Sequence, residues 1–83
     1  MNYIADVLKK DNPSFEDYIN CFEQVKADGS VAVIKFDGER EANHYTVFIS
    51  FPTESTRTTL RIDHDDLKQA MTIVLEQYLS VQE

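Results

Sequence analysis

The chain of 83 residues and 9.6 kDa predicts one small domain over residues 1–83, without room for a cofactor-binding fold of ordinary size. Fifteen acidic and eight basic residues give a formal charge of -7, which disfavours binding to nucleic acid phosphates and to anionic membrane surfaces. A hydrophobic content of 42% with only two glycines and two prolines is typical of a chain that folds around a core.

Apolar side chains recur at helical spacing in two N-terminal segments. Residues 2–10 form the first, which ends in two lysines that suit the C-terminus of a helix. The second begins after Pro13, where Ser14 is placed to cap a helix together with Asp17, and Gly29 ends it. Its predicted buried stripe consists of Phe15, Tyr18, Ile19, Phe22 and Val25.

From Ser30 onward the apolar period changes to two, which predicts three antiparallel strands over residues 31–36, about 43–51 and 56–63, with a turn at Asp37 and Gly38. Strand alternation separates two sets of side chains. The set predicted to face the helices is Tyr45, Val47, Ile49, Phe51, Thr58, Leu60 and Ile62. The set predicted to lie on the open sheet face is Val33, Lys35, His44, Thr46, Phe48, Ser50, Arg57, Thr59 and Arg61.

An acidic tetrad, residues 63–66, precedes the last predicted helix. Asp63 with Asp66 three residues later predicts the N-terminal cap of that helix, which continues to about residue 80. Its predicted buried stripe is Leu67, Ala70, Met71, Val74, Tyr78 and Val81. The element order α-α-β-β-β-α therefore predicts an α+β two-layer sandwich, in which helices cover one face of a three-stranded antiparallel meander.

The same tetrad holds the imidazole of His64 and three carboxylates, which are residue types of metal sites and of acid–base catalysis. Consecutive helical residues point in different directions, and the helix dipole favours carboxylates in a first turn, so we interpret the tetrad as a cap. Glycine-rich phosphate loops, catalytic triad patterns and CxxC pairs are absent from the sequence. We therefore expect no enzymatic activity, no cofactor and no metal site.

The single cysteine, Cys21, cannot form an intramolecular disulfide and is interpreted as a packing residue in a reducing compartment. The N-terminus has no basic segment followed by an apolar run, and the sequence lacks the roughly 18 to 20 consecutive apolar residues of a membrane span. We expect a cytoplasmic protein that does not enter a membrane.

The acidic charge is unevenly distributed along the chain. Residues 1–28 carry six acids and three bases, residues 29–63 five and four, and residues 64–83 four and one. The helical segments therefore hold most of the negative charge, which predicts an acidic helical surface opposite a mixed aromatic and basic sheet face. The acidic residues expected to bind a basic partner are Glu16, Asp17, Glu23, Asp65, Asp66 and Glu76.

The predicted sheet face has three interpretations, which the sequence leaves open. Basic residues ordinarily occupy exposed strand positions without any further function. Alternatively, Phe48 with Arg57 and Arg61 forms an interface anchor, because aromatic residues and arginine dominate binding hot spots. In the third interpretation, Lys35 and the two arginines bind an anion.

The order of one helix, three antiparallel strands and one helix is similar to that of double-stranded RNA-binding domains. That family holds phosphates with a lysine cluster at the start of its last helix, where this chain has Asp63, His64, Asp65 and Asp66, so we expect no direct nucleic acid binding. In size, charge and element type the chain resembles small acidic α+β proteins of bacteria and phages. That resemblance implies an immunity-type protein or an inhibitor of nucleases or CRISPR effectors.

Two functions follow as hypotheses. The first is a non-catalytic protein-binding module whose acidic helices or sheet face engage a basic protein such as a nuclease. The alternative is a self-associating structural or regulatory domain, a homodimer that pairs through the exposed sheet face or through an open strand edge.

Overall fold

The computed structural model describes residues 2–52 and 58–82, and within them three helices and three strands follow in the predicted order. The helices are α1 (Tyr3–Leu8), α2 (Phe15–Ala27) and α3 (Leu67–Gln82). The strands are β1 (Val31–Phe36), β2 (Tyr45–Ser50) and β3 (Leu60–His64). The predicted α+β class and element order are confirmed.

The strands form an antiparallel sheet in the order β1-β2-β3, so that β2 is central and β1 is an edge strand. Across the sheet, Val33 lies opposite Phe48, and Phe48 lies opposite Arg61. Val47 and Ile49 point to the other face and are fully buried. Helix α3 packs on β2 and β3, while α2 lies against β1, so the helices cover one face of the sheet.

Buried apolar residues of all three helices and of β2 form the core. Helix α1 packs against both α2 and α3, where Ile4 and Val7 are fully buried. Leu75, which the predicted α3 stripe omits, is also fully buried. The core residues are Ile4, Val7, Tyr18, Cys21, Phe22, Val25, Val47, Ile49, Ala70, Met71, Val74, Leu75 and Tyr78.

The predicted ends of α2 are confirmed. The hydroxyl of Ser14 accepts a hydrogen bond from the backbone N–H of Asp17 at 3.1 Å, and the carboxylate of Asp17 accepts one from the N–H of Ser14 at 2.9 Å. These two bonds form a capping box, which satisfies backbone donors that the first helical turn leaves unpaired. Gly29 follows α2 with a φ of 92°, a left-handed conformation that glycine adopts without steric cost.

Of the two residues predicted to cap α3, one is confirmed and the other is wrong. Asp66 does cap the helix, since its carboxylate accepts a hydrogen bond from the backbone N–H of Gln69 at 3.1 Å. Asp63 does not, because β3 continues to His64 and strand alternation directs Asp63 to the open sheet face, opposite Thr46.

The predicted strands β2 and β3 are longer than the observed ones. Because β3 begins at Leu60, Thr58 is exposed instead of facing the helices, and residues 56 and 57 lie outside the described residues. Strand β2 ends before Phe51, whose ring stacks on that of Tyr78 with centroids 5.9 Å apart. It begins after His44, whose carbonyl accepts a hydrogen bond from the N–H of Asp37 at 2.7 Å.

Candidate protein-binding surface

The open sheet face carries a buried hydroxyl where an exposed one is predicted. Thr46 is only 3% exposed, although it lies on this face between Lys35 and Asp63. The prediction is wrong because the side chain of Arg40, from the loop between β1 and β2, lies over it. The guanidinium Nη1 donates to the Thr46 Oγ1 at 3.1 Å.

Asp63 is the centre of an ion-pair network on this face. It accepts hydrogen bonds from the hydroxyl of Thr46 and from Nη1 of Arg40, the latter at 2.9 Å. The Nε of Arg61 lies 3.3 Å from its second oxygen. These hydrogen bonds, first that from Thr46 and then those from the two arginines, hold the pKa of Asp63 well below its usual range.

The basic groups of the sheet face are thus paired within the protein. Lys35 Nζ lies 3.3 Å from a carboxylate oxygen of Asp37, and Arg40 Nε lies 3.1 Å from the same oxygen. Arg57 lies outside the described residues. In the described part of the face, three cations therefore share two carboxylates, which weakens the anion-binding interpretation. Phe48 is half-buried between Val33 and Arg61.

Two of the six acidic candidates are ion-paired with a lysine of the protein itself. Asp17 completes the capping box and lies 3.1 Å from the Nζ of Lys10. The hydrogen bond from the backbone of Ser14, followed by that from Lys10, lowers its pKa. Glu23 is ion-paired with Lys26 one turn later. These two carboxylates are therefore less available to a partner than the sequence pattern implies.

The other four acidic candidates fall into two pairs. Glu16 and Glu76 are exposed, and neither has an ion-pair partner among residues 2–52 and 58–82. Asp65 and Asp66 lie together at the start of α3, where Asp65 accepts a hydrogen bond from the backbone N–H of Asn43 and Asp66 caps the helix. Asp65 and Asp66 line a groove of about 660 Å³, here called the end groove, formed by Phe15, Phe36, Tyr45, Asp65, Asp66, Leu67 and Lys68.

The aromatic walls of the end groove are accessible to solvent. Phe36 is 68% exposed and packs edge-on against the ring of Tyr45, with centroids 5.2 Å apart. Lys68 Nζ lies 4.9 Å from the centre of the Phe15 ring, a cation–π contact. The groove thus combines apolar surface, ring faces that attract cations, and two carboxylates.

Exposed apolar side chains continue from this groove along the edge of the sheet. The prediction that Phe15 and Ile19 are buried is wrong, since they are 52% and 48% exposed. Their stripe of α2 faces β1, and in the described chain no strand lies beyond β1 to cover it. We call this edge of the molecule the α2–β1 side. It is defined by Phe15 and Ile19 of α2, by Phe36 of β1 on the helix-covered face, and by Val31 and Val33, which point to the open face of the same edge strand.

The α2–β1 side holds five of the six large hydrophobic residues that are exposed in the described chain, Tyr3 being the sixth. A second groove of about 330 Å³, here called the edge groove, lies between the two elements and is lined by Ile19, Phe22, Glu23, Lys26, Ser30, Val31 and Ala32. The sequence does contain a signal for this surface. A meander of three strands leaves its first strand at an edge with unpaired backbone groups, although the apolar period of α2 does not show that its stripe lies beside that edge.

The residues considered for chemistry have structural partners. His64 Nδ1 accepts a hydrogen bond from the backbone N–H of Asp66 at 2.9 Å. Cys21 is fully buried, and burial raises the pKa of its thiol to about 11. The described part of the chain holds no group of three or more side chains placed to ligate a metal ion, and none of its helices is long and apolar enough to cross a membrane.

Comparison of the chain with protein-family models, with curated proteins and with solved structures gives no match. The functional hypothesis therefore depends on the geometry of the α2–β1 side and the end groove.

Proposed function

We propose that this chain is a non-catalytic protein-binding module that engages a basic protein partner through its α2–β1 side and end groove. The supporting observation is that exposed apolar side chains concentrate on that side and lead to a groove with two carboxylates. Concentrated exposed apolar surface marks interaction sites, and aromatic residues are frequent binding hot spots.

Charge supports a basic partner. The net charge of -7 attracts a cationic protein and raises its association rate. Within the end groove, a lysine or arginine of the partner would contact the Phe15 ring as Lys68 does, with Asp65 and Asp66 nearby. Inhibition of a nuclease or immunity against one, in the cytoplasm of a bacterium or of a phage-infected cell, is the proposed use.

The open sheet face has less support as the binding surface or as a homodimer interface. Phe48 is half-buried, and Arg61 is ion-paired with Asp63 on the same strand. A partner there would compete with the ion pairs that Lys35, Arg40 and Arg61 form within the chain, and the described part of that face exposes less apolar surface than the α2–β1 side.

Selection from a random displayed peptide library tests the proposal while the partner is still unidentified. We expect enriched peptides to carry lysine or arginine beside aromatic or aliphatic residues. Enrichment of acidic peptides, or of none, would contradict a basic partner.

Variants that remove charge but keep the size of the side chain then test whether the end groove is the binding site. Asp65→Asn with Asp66→Asn keeps the side-chain oxygens that accept the backbone hydrogen bonds, because asparagine caps helices as well as aspartate does. We expect the double variant to weaken binding of an enriched peptide by about 1 kcal/mol, measured by calorimetry at low salt. Glu76→Gln, on the exposed surface of α3, is the control. The control removes one charge instead of two, so a loss half as large as that of the double variant would mean that only the overall charge matters.

A further inference from the structure

Strand β1 presents unpaired backbone groups at regular intervals along its outer edge. The backbone N–H of Asp37 donates to the carbonyl of His44 in the continuation of the β1–β2 register. Hydrogen-bonded pairs alternate in an antiparallel ladder, so Val33 and Lys35 also pair with β2 through their backbone groups. The N–H and C=O groups that point away from β2 are those of Ala32, Ile34 and Phe36, and none of them has a partner within residues 2–52 and 58–82.

The apolar stripe of α2 is exposed beside this same edge. Phe22 is 9% exposed where it meets the core, whereas Ile19 and Phe15 on the same stripe are about half exposed. Ile19 faces Val31 and Ala32 across the edge groove. One additional strand on β1 would satisfy the free backbone groups and cover the half-exposed residues of α2.

We propose that the partner adds one extended strand to the free edge of β1, beneath the apolar stripe of α2. This inference rests on the proposed function and names its binding mode. Partner residues opposite Ala32, Ile34 and Phe36 place their side chains on the helix-covered face, so three alternate positions of the partner strand are apolar.

The charge around the edge determines where the basic residues of the partner lie. Beside the edge, Lys35 of β1 and Lys26 of α2 are each ion-paired within the chain. Beyond Phe36, Asp65 and Asp66 lie in the end groove with only Lys68 to oppose them. The partner strand therefore carries lysine or arginine at the end that leaves β1 past Phe36.

A second copy of this chain fits the edge less well than a strand without an attached helix. Two paired β1 strands would lie about 4.8 Å apart, whereas packed helices need about 8–10 Å between their axes. Because α2 lies over the edge of β1, twofold pairing would bring the two α2 helices into the same space.

Amide hydrogen exchange of the full chain tests the proposed strand. In the free protein we expect fast exchange at Ala32, Ile34 and Phe36 and slow exchange at Val33 and Lys35. The probe is the synthetic peptide Lys-Lys-Val-Thr-Val-Thr-Val-Ser-Gly, together with its reversed sequence to cover both strand directions. We expect one of the two to slow exchange at the three fast positions about tenfold or more at saturation. Unchanged exchange there with both peptides would overturn the inference.

A second peptide tests whether apolar residues must alternate along the partner strand. It has the same composition but adjacent valines, Lys-Lys-Thr-Val-Val-Val-Thr-Ser-Gly. We expect it to bind about fivefold more weakly, because it places fewer apolar side chains beneath α2. Equal affinity would contradict the predicted pattern. Slow exchange at the three edge positions without any peptide, together with a dimer mass by light scattering, would assign the edge to a second copy and overturn the proposal.

Proline substitutions distinguish the backbone N–H groups at the free edge of β1 from those that pair with β2. Ala32→Pro removes an N–H that points to the free edge, so we expect the protein to fold and to bind the better peptide about tenfold more weakly. Val33→Pro removes an N–H that pairs with β2, so we expect it to unfold the sheet. Should Ala32→Pro fail to fold, Phe36→Ser tests the same edge at an exposed side chain, with the exposed Tyr3→Ser as its control. Unaltered binding by Phe36→Ser would count against the edge.

The two proposals can fail separately. Peptides that bind through Asp65 and Asp66 without slowing exchange along β1 would keep the basic partner and exclude strand addition. Conversely, a peptide could slow exchange at the edge and lose no affinity when its lysines are replaced by serine. That result would support strand addition and exclude a basic partner.

Discussion

Thr46→Val removes the hydroxyl on which the ion-pair network of the sheet face depends, and leaves the shape of the side chain almost unchanged. The hydroxyl donates to Asp63 and accepts from Arg40, and the residue is 3% exposed. Hydrogen bonds to charged groups contribute about 1.5–3 kcal/mol each. The loss here is smaller than the sum of two such bonds, because the side chains of Arg40 and Asp63 are 31% and 36% exposed, so water can replace the hydroxyl, and because they stay paired at 2.9 Å. We expect a total loss of about 1–2 kcal/mol.

For a domain of this size, that loss lowers the melting temperature by about 5–15 °C. Urea unfolding followed by circular dichroism at pH 7 measures it, with Ser50→Val as a matched control on the same face and strand. A variant as stable as the wild type would refute the reasoning, since it would mean that the buried hydroxyl and its charged partners contribute no more than an apolar contact.

The pH dependence gives a second test of the same network. Because the folded-state pKa of Asp63 is lowered, its stabilising contribution is fully present above its unfolded value of about 3.9 and is lost as pH falls through the folded value. We therefore expect the difference between Thr46→Val and the wild type to persist from pH 7 to about pH 4 and to shrink at lower pH. A constant difference down to pH 1.5, measured by urea unfolding, would contradict this cause.

Three further predictions concern the core and the helix ends. Leu75→Ala, at a fully buried position, should destabilise the fold by about 2–5 kcal/mol in urea unfolding, whereas the exposed Gln77→Ala should stay within about 0.5 kcal/mol. Ser14→Ala removes the capping box and should cost about 1 kcal/mol in the same assay; an unchanged midpoint would contradict the cap. Cys21 should react with a thiol reagent at pH 8 only after denaturation, because it is buried and its thiol pKa is raised to about 11, and rapid labelling of the native protein would show that the site opens.

Local sequence signals predicted the candidate surface only in part. The strand alternation correctly places Val33 and Phe48 on the open sheet face, and the acidic start of α3 is visible as Asp65 and Asp66. The pattern could not show that Arg40 covers Thr46, because the position of this loop side chain depends on the loop conformation and on its ion pair with Asp63 of another strand. For the same reason, the exposure of Phe15 and Ile19 could not be predicted, since helical periodicity gives the direction of a stripe but not what lies opposite it.

The sequence by itself determined the element order, the ends of α2 and the direction of most strand side chains, because capping residues, turn residues and apolar periods act over a few positions. Only the tertiary structure decided which of these surfaces remains uncovered. The apolar stripe of α2, which the sequence pattern predicts to be buried, lies beside the edge strand β1, where Phe15 and Ile19 stay half exposed next to unpaired backbone groups. Burial depends on the number of strands beneath the helix, which is a property of the assembled fold.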